Sequence, residues 1–273
     1  MRIVMLGDIV GKPGKRVVQQ QIGKLRELYE PHLIIANAEN IAGGSGLTAS
    51  LYSKLMNYGI DAITLGDHAL RQSDIYPVLD QQDNIIRPAN LPNAAPGRGM
   101  MRLTLDKPAA DSAVREVYVI TVLGRLYMHT VQADDPYATV DRLLEQVPDD
   151  AGVIVEVHAE ATSEKVAMGW HLEGRASAVV GTHTHIPTAD TRILPRGTAY
   201  QTDLGMTGPY GSILGRRVDR VLQFMTTAMP AKFDIAEQDV RMCGIFVELA
   251  EQGRAKQVQR VELAADMDQP PFI

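Results

Sequence analysis

The sequence predicts an α/β fold. Short apolar runs alternate along the chain with segments in which apolar side chains recur at helical spacing. At 273 residues the chain is long enough to bury a sizeable core, and its length fits one or two domains. Polar residues follow several of the apolar runs, at the position where open α/β sheets bind their ligands.

The amino-terminal part predicts two strand and helix pairs. Residues 3–6 form a short apolar run, and residues 17–30 repeat apolar side chains on one helical face. Residues 33–38 predict the next buried strand, which a glycine-rich loop follows. Thr48 can cap a second helix that stops at Gly59.

The pattern continues through the middle of the chain. A third strand is predicted at residues 62–65, followed by a helix at residues 73–79. Two further strands, at residues 101–105 and 117–123, have few residues between them, so we expect them to be antiparallel. The connecting residues, 106–116, are interpreted as an exposed hairpin loop.

The carboxyl-terminal part repeats the alternation and ends in strands. Helices are predicted at residues 138–146 and 163–168, and strands at residues 153–157 and 178–180. From residue 234 onwards the pattern again indicates strands. No obvious linker precedes these strands and no internal repeat is found, so we expect one domain that covers the whole chain, 1–273.

Composition excludes several classes of protein. The chain is 45% hydrophobic and 22% charged, with a formal net charge of −6, so it has no basic excess and we expect no stable nucleic-acid binding. Cys243 is the single cysteine and cannot form an internal disulfide. The first residues, MRIVMLGD, indicate a strand because their apolar run is too short for a signal peptide, and no run reaches membrane-spanning length. We therefore expect a cytoplasmic setting without membrane contact.

Acidic and imidazole side chains follow five of the predicted strands. Each lies at or just beyond the carboxyl end of its strand, and independent turns would not be expected to agree in this way. The residues are Asp8, Glu39, Asp67 with His68, His158, and His183 with His185.

Each of these residues also has a purely structural interpretation. Asp8 and Asp67 follow a glycine, where aspartate commonly forms an Asx turn. A lone His158 is typical of a hydrogen-bonded interior histidine. Glu39 is a poor turn residue, and the two histidines in GTHTH would point the same way if the segment is extended. The combination indicates a metal site.

Several sequence blocks carry a family resemblance. They are GDIVGKPG, NAENIAGGSGL, ITLGDHA and the stretch over residues 158–210 that contains HAEATSEKVAMGW, VVGTHTHIPTAD and TDLGMTGPY. With them, nearly the whole chain resembles the bacterial YmdB-like metallophosphoesterases, a branch of the calcineurin-like superfamily of two-metal phosphohydrolases. The resemblance implies a four-layer α/β/β/α sandwich with the metals at one edge of its two central sheets.

The resemblance also implies a set of site residues. Two metal ions would share the carboxylate of Glu39. The remaining ligands of the first ion would be Asp8, Asn40 and His185. Those of the second ion would be Asp67, His158 and His183, and His68 would be the general acid. Oxygen and imidazole ligands without thiolate suit iron, with manganese or zinc as alternatives.

The implied function is a phosphodiesterase. It would hydrolyse cyclic nucleotides, such as 2',3'-cyclic nucleotides, or other small phosphodiesters by in-line attack of a metal-bridging hydroxide. Two alternatives stay open: a phosphomonoesterase or phosphoprotein phosphatase, and a non-catalytic, metal-stabilised regulatory protein that binds a nucleotide. His68 argues against the second, because a metal scaffold needs no general acid. A homo-oligomer is compatible with the sequence.

Two positions depart from the pattern of the superfamily. Val10 stands where a histidine usually follows the first aspartate. The resemblance implies that Asn40 supplies the metal ligand that this histidine would provide. Asp67 stands where asparagine usually precedes the catalytic histidine. A carboxylate adds a negative charge that an amide lacks, so we expect tighter binding of the second metal, or a preference for a trivalent ion, and weaker attraction of a phosphate anion. The competing interpretation is that Asp67 binds through one oxygen and changes rates only modestly.

One helical block between the histidines has no assigned role. Glu164, Lys165 and Trp170 lie in HAEATSEKVAMGW. We interpret them as support for His158 or as helix packing.

Overall fold

Two β-sheets face each other in the computed structural model, which describes residues 1–105, 114–128 and 131–266. The strands, in chain order, are β1 (Arg2–Leu6), β2 (Asp8–Ile9), β3 (Leu33–Asn37), β4 (Ala62–Thr64), β5 (Ile85–Ile86), β6 (Met100–Thr104), β7 (Glu116–Leu123), β8 (Gly152–His158), β9 (Ala178–Thr182), β10 (Arg192–Ile193), β11 (Ala199–Gln201), β12 (Met206–Pro209), β13 (Val240–Leu249) and β14 (Ala255–Ala264).

Both sheets are mixed. The first has the strand order β2-β12-β13-β1-β3-β4-β5, and β14 pairs with β13 in addition. Within it β1, β3, β4 and β5 are parallel, so their carboxyl ends meet at one edge. The second sheet has the order β10-β11-β9-β8-β7-β6. There β7, β8 and β9 are parallel, and β6 is antiparallel to β7 as the sequence predicts.

The described residues form six α-helices, and all but the last pack against the outer faces of the two sheets. They are α1 (Gly11–Tyr29), α2 (Ala49–Tyr58), α3 (Tyr76–Gln81), α4 (Pro136–Leu144), α5 (Thr162–His171) and α6 (Val218–Thr227), and two short 3-10 helices lie at Ser73–Ile75 and Glu251–Gly253. None of the helices in the described part of the chain is both long enough and apolar enough to cross a membrane.

Side chains on β1 show how the first sheet is buried on both faces. Val4 and Leu6 join the apolar cluster that contains Leu25 of α1. Ile3 and Met5, which alternate with them, join a second cluster that also contains residues of the other sheet. Because successive side chains of a strand point to opposite faces, a continuous apolar run fits a strand covered on both sides.

The second sheet is covered in the same way. Val155 and Val157 of β8 pack in a cluster with Val140 of α4 and Met168 of α5. Ile154 of β8 lies in the cluster between the sheets. The layers therefore follow the order helix, sheet, sheet, helix, which confirms the predicted α/β/β/α sandwich.

Most predicted elements are present, with shifted ends. Thr48 caps α2 by accepting a hydrogen bond from the Leu51 N–H, and Gly59 ends the helix at a φ of 98°. By contrast, α1 begins at Gly11 rather than at residue 17. Pro13 is tolerated there because the N–H groups of a first helical turn have no partner within the helix. Residues 106–113 of the predicted hairpin loop lie outside the described residues, and α6 is absent from the predicted elements.

Candidate metal centre

Polar side chains meet where the parallel strands of both sheets end. The segments after β1, β3 and β4 supply the carboxylates, and the end of β8 and the segment after β9 supply three imidazoles. Donor atoms of four residues lie within 4.8 Å of one another and could hold a metal ion: Glu39, Asp67, His158 and His183.

His158 lies at the centre of this four-residue cluster. Its Nε2 atom is 3.0 Å from Oδ1 of Asp67, 3.3 Å from Oε1 of Glu39 and 3.0 Å from Nδ1 of His183. Both His158 and Glu39 are fully buried. Two carboxylates and two imidazoles at such distances form a donor set that suits a divalent transition metal.

The other predicted ligands lie beside Glu39. Nδ2 of Asn40 is 3.0 Å from Oε1 of Glu39 and 3.3 Å from Nε2 of His185. Asp8 is fully buried, and its Oδ2 accepts a hydrogen bond from the His183 N–H. Its Oδ1 has no hydrogen-bond partner among the described residues. A buried carboxylate oxygen without a donor is expected where a cation would bind.

The amide of Asn40 is oriented differently from the prediction. Its Nδ2 faces Glu39 and His185, whereas its Oδ1 lies 2.8 Å from Nδ1 of His68. Only the oxygen of an amide can bind a metal, so metal binding by Asn40 requires a half-turn of the amide group. The same half-turn would direct the NH₂ group to His68.

The GTHTH segment is not extended, so the expectation that its two histidines point the same way is wrong. Strand β9 ends at Thr182, and both histidines have positive φ, 93° for His183 and 64° for His185. The chain turns at each histidine. His183 contacts His158, and His185 contacts Asn40. The two imidazoles therefore reach different parts of the site.

His158 has a hydrogen-bond network behind it that the sequence analysis missed. Its Nδ1 is 2.9 Å from Oγ1 of Thr182, and that hydroxyl donates to Oε1 of Glu156 at 2.7 Å. A hydroxyl has one proton to donate, so Nδ1 of His158 must be the donor to Thr182. This leaves Nε2 directed at the cluster. Glu156 lies two residues before His158 on the same face of β8, and that spacing was the available signal.

The remaining histidines are held in a similar way. Nε2 of His183 lies 3.3 Å from a carboxylate oxygen of Glu160. Nδ1 of His185 donates to the carbonyl oxygen of Leu214 at 3.2 Å. Each ring therefore has an acceptor on its far nitrogen, which is the arrangement that orients imidazole ligands in metal sites.

His68 lies beside the cluster. Its backbone N–H donates to Oε2 of Glu39, and its Nε2 is 3.6 Å from Oδ2 of Asp67. The side chain is 25% exposed, so solvent reaches it. Gly66 permits this close packing, because a Cβ atom there would lie 2.3 Å from Nε2 of His158 and 2.4 Å from Oε2 of Glu39.

Burial and mutual charge shift the pKa values of the cluster. Burial raises the pKa of Asp8 more than the charges of His185 and His158 lower it. Burial acts the same way on Glu39 and Asp67, but contacts with the histidines outweigh it and lower both pKa values. For His158, burial opposes the charge of Glu39 and the hydrogen bond to Asp67, which together raise its pKa well above the usual value. Without a metal, His158 therefore holds a proton that a metal must displace.

The chain resembles proteins of known family over almost its full length. The model of the family described as YmdB-like protein matches residues 4–261. The 2',3'-cyclic-nucleotide 2'-phosphodiesterase of Bacillus subtilis (strain 168) is 41% identical over 268 residues, which cover 97% of this chain and 98% of that protein.

Two solved structures are similar to the fold. A hypothetical protein from Thermus thermophilus has a TM-score of 0.88 at 39% identity, over 97% of this chain and 100% of that one. A phosphatase from Mycoplasma pneumoniae has a TM-score of 0.87 at 28% identity, over 97% and 93% of the two chains. Together with the match over residues 4–261, these likenesses show that the chain belongs to the YmdB-like family.

Proposed function

We propose that this chain is a two-metal phosphodiesterase that hydrolyses cyclic nucleotides, such as 2',3'-cyclic nucleotides, or other small phosphodiesters. The observation that carries the proposal is the four-residue cluster within 4.8 Å, with His68 beside it but outside it. Such an arrangement provides both a metal site and a separate proton donor. The similarity to a 2',3'-cyclic-nucleotide 2'-phosphodiesterase supports the substrate class.

The donor set fits two metal ions. We assign one ion to Glu39, Asp67, His158 and His183. We assign the second to Asp8, Asn40 and His185, with Glu39 shared between the ions. Oδ1 of Asp8, which accepts no hydrogen bond among the described residues, and the outward acceptors on all three imidazoles support this assignment. Oxygen and imidazole donors without thiolate favour iron, with manganese or zinc as alternatives.

His68 is the proposed general acid. Its Nδ1 contacts the Asn40 amide, so Nε2 is the nitrogen available to a substrate. When bound, two metal ions neutralise charge on the phosphoryl group and activate the attacking water. As the bond between phosphorus and the leaving oxygen breaks, the protonated His68 gives the proton on Nε2 to that oxygen and is left as neutral imidazole. Imidazole suits this role because its pKa lies near neutral pH.

A phosphomonoesterase is the second candidate, and the similarity to a phosphatase favours it. Metal analysis of the purified protein, combined with a substrate screen, separates the two functions. The screen compares 2',3'-cyclic nucleotides, 3',5'-cyclic nucleotides, bis(p-nitrophenyl) phosphate and the monoester p-nitrophenyl phosphate. We expect two metal ions per chain and faster turnover of diesters. Turnover of the monoester alone would contradict the proposal, and nucleotide binding without turnover would favour a regulatory protein.

Three further properties remain predictions. They are a single domain over residues 1–273, a cytoplasmic location, and the capacity to form a homo-oligomer. Limited proteolysis, cell fractionation and light scattering would test them in turn.

A further inference from the structure

The segment that carries His183 and His185 has a backbone that needs external support. Both residues have φ in the left-handed region, where a side chain with a Cβ atom costs free energy. Such conformations persist when the surrounding structure holds them. Thr184 lies between the two histidines, so a contact that fixes Thr184 acts on both.

Asp203 makes that contact. Its Oδ2 accepts hydrogen bonds from the Thr184 N–H at 3.2 Å and from the Thr184 hydroxyl at 2.7 Å. Its Oδ1 accepts a hydrogen bond from the Gly205 N–H at 2.8 Å. The residues after Asp203 also contact the segment that carries the two histidines. The Met206 N–H donates a hydrogen bond to the carbonyl oxygen of His185 at 3.1 Å.

Lys165 pairs with the buried carboxylate. Its Nζ lies 2.6 Å from Oδ2 of Asp203, and both side chains are 1% exposed. The lysine extends from α5 past Gly181, where a Cβ atom would lie 2.7 Å from Cδ of Lys165. A buried carboxylate needs such a partner, because an unpaired buried charge strongly destabilises a fold.

We propose that Lys165 and Asp203 are positioning residues for the metal centre, and that they act through Thr184 to hold His183 and His185 in their two directions. The proposal rests on the proposed function of the site. It gives a role to two residues that touch none of the assigned ligand side chains.

The alternative is that the ion pair only stabilises the packing of α5 against the segment that follows β11. Substitutions at Asp203 and at Thr184 distinguish the positioning role from the packing role. Asp203→Asn removes the charge and turns one acceptor into a donor. Thr184→Val removes the hydroxyl and keeps the shape, whereas Thr184→Ser keeps the hydroxyl. Ser177→Ala is the structural control, because Ser177 precedes the other end of β9 and its hydroxyl accepts from the Val153 N–H.

The measurement is Mn²⁺ binding to the purified, metal-depleted full chain by isothermal titration calorimetry, with the folded fraction of each variant checked by circular dichroism. We expect Asp203→Asn to weaken Mn²⁺ binding by about 10- to 100-fold, the usual effect of losing an outer-shell partner. Thr184→Val should show a smaller loss, and Thr184→Ser should bind like the parent. Ser177→Ala should bind Mn²⁺ normally even if its melting temperature falls.

Parent-like Mn²⁺ affinity in folded Asp203→Asn would overturn the proposal. If that variant does not fold, equal affinities of Thr184→Val and Thr184→Ser would overturn it. A parent protein that binds Mn²⁺ but hydrolyses no diester would contradict the proposed function alone, because the effects on Mn²⁺ binding could still be measured. A parent that binds none of Mn²⁺, Fe²⁺ and Zn²⁺ would contradict both.

Discussion

Nε2 of His158 lies 3.0 Å from Oδ1 of Asp67, although 91 residues separate them in the sequence. Asp67 follows β4 in the first sheet, and His158 ends β8 in the second. The contact therefore joins the edges of the two sheets, whose facing surfaces pack mainly through apolar side chains. A metal bound here would link the sheets directly, and the stability of the fold should depend on it.

Metal binding should stabilise the fold more as pH rises. In the metal-free protein the pKa values of His158 and His68 are raised: burial lowers them, but neighbouring carboxylates outweigh it. Protonation of these two histidines contributes to the free energy of unfolding. That contribution is fully present below the unfolded pKa of about 6.5 and is lost as pH rises through the pKa values of the folded protein. Metal binding needs neutral imidazoles, so its contribution grows over the same range.

Differential scanning fluorimetry with Mn²⁺ or with a chelator tests this pH dependence of metal stabilisation. The difference in melting temperature between the two samples should widen from about pH 6 to about pH 8. His171→Gln is the control, because His171 pairs with Asp141 outside the site and its loss should not change the trend. A difference that is constant or shrinks with pH would count against imidazole ligation.

Replacing Asp67 with asparagine should change both the metal site and His68. The carboxylate lies against His158 and His183 through one oxygen and 3.6 Å from Nε2 of His68 through the other. Burial lowers the pKa of His68, but the hydrogen bond and charge of Glu39 and the charge of Asp67 raise it. Asp67→Asn should lower that pKa in metal-free protein and weaken binding of the metal ion assigned to Asp67, His158 and His183 by about tenfold.

NMR titration of the histidines and metal analysis of Asp67→Asn give the two readouts. Phosphodiester turnover of the metal-loaded variant gives a third. Unchanged metal stoichiometry together with an unchanged rate would support the competing interpretation, in which Asp67 binds through one oxygen and has little further effect.

The hydroxyl of Thr182 should matter for metal affinity beyond its effect on stability. It joins Nδ1 of His158 to the buried carboxyl of Glu156. Thr182→Val should lower the free energy of unfolding by about 1 kcal/mol or somewhat more, and should weaken Mn²⁺ binding by about tenfold because the ring is no longer oriented. Chemical denaturation and calorimetric titration measure the two effects.

Thr198→Val is the matched control for Thr182→Val. Thr198 is also a buried threonine, and its hydroxyl donates to the carbonyl oxygen of Ala176, outside the site. We expect a similar loss of stability with parent-like Mn²⁺ affinity. Equal losses of Mn²⁺ affinity in both variants would show that Thr182 acts through stability alone.

The location of the site could be predicted from the sequence because it depends on strand ends. Parallel strands bring their carboxyl ends to one edge, so the acids and histidines after apolar runs had to lie near one another. The geometry of His183 and His185 could not be predicted in this way. Their positive φ values lie on either side of Thr184, whose contact is Asp203, a residue about twenty positions later that pairs with Lys165 of α5.

The residues that orient the histidines were harder to predict than the ligands themselves, because their role also depends on contacts between distant parts of the chain. Thr182 and Glu160 contact the histidines through tertiary packing, and Glu156 accepts a hydrogen bond from Thr182. Their residue types are ordinary in strands and loops. Helix α6 was also missed, and only Val221 of that helix is buried. By contrast, Thr48 and Gly59 were predicted correctly because a helix cap is set by local sequence.

Replacement of His68 by alanine tests the central claim most directly. The measurement is kcat for a 2',3'-cyclic nucleotide together with the metal content of the same sample. The proposed role predicts that kcat falls by about 100-fold or more, since a general acid contributes that much, while two metal ions per chain are retained. A metal-loaded His68→Ala protein that hydrolyses the nucleotide at the parent rate would contradict it.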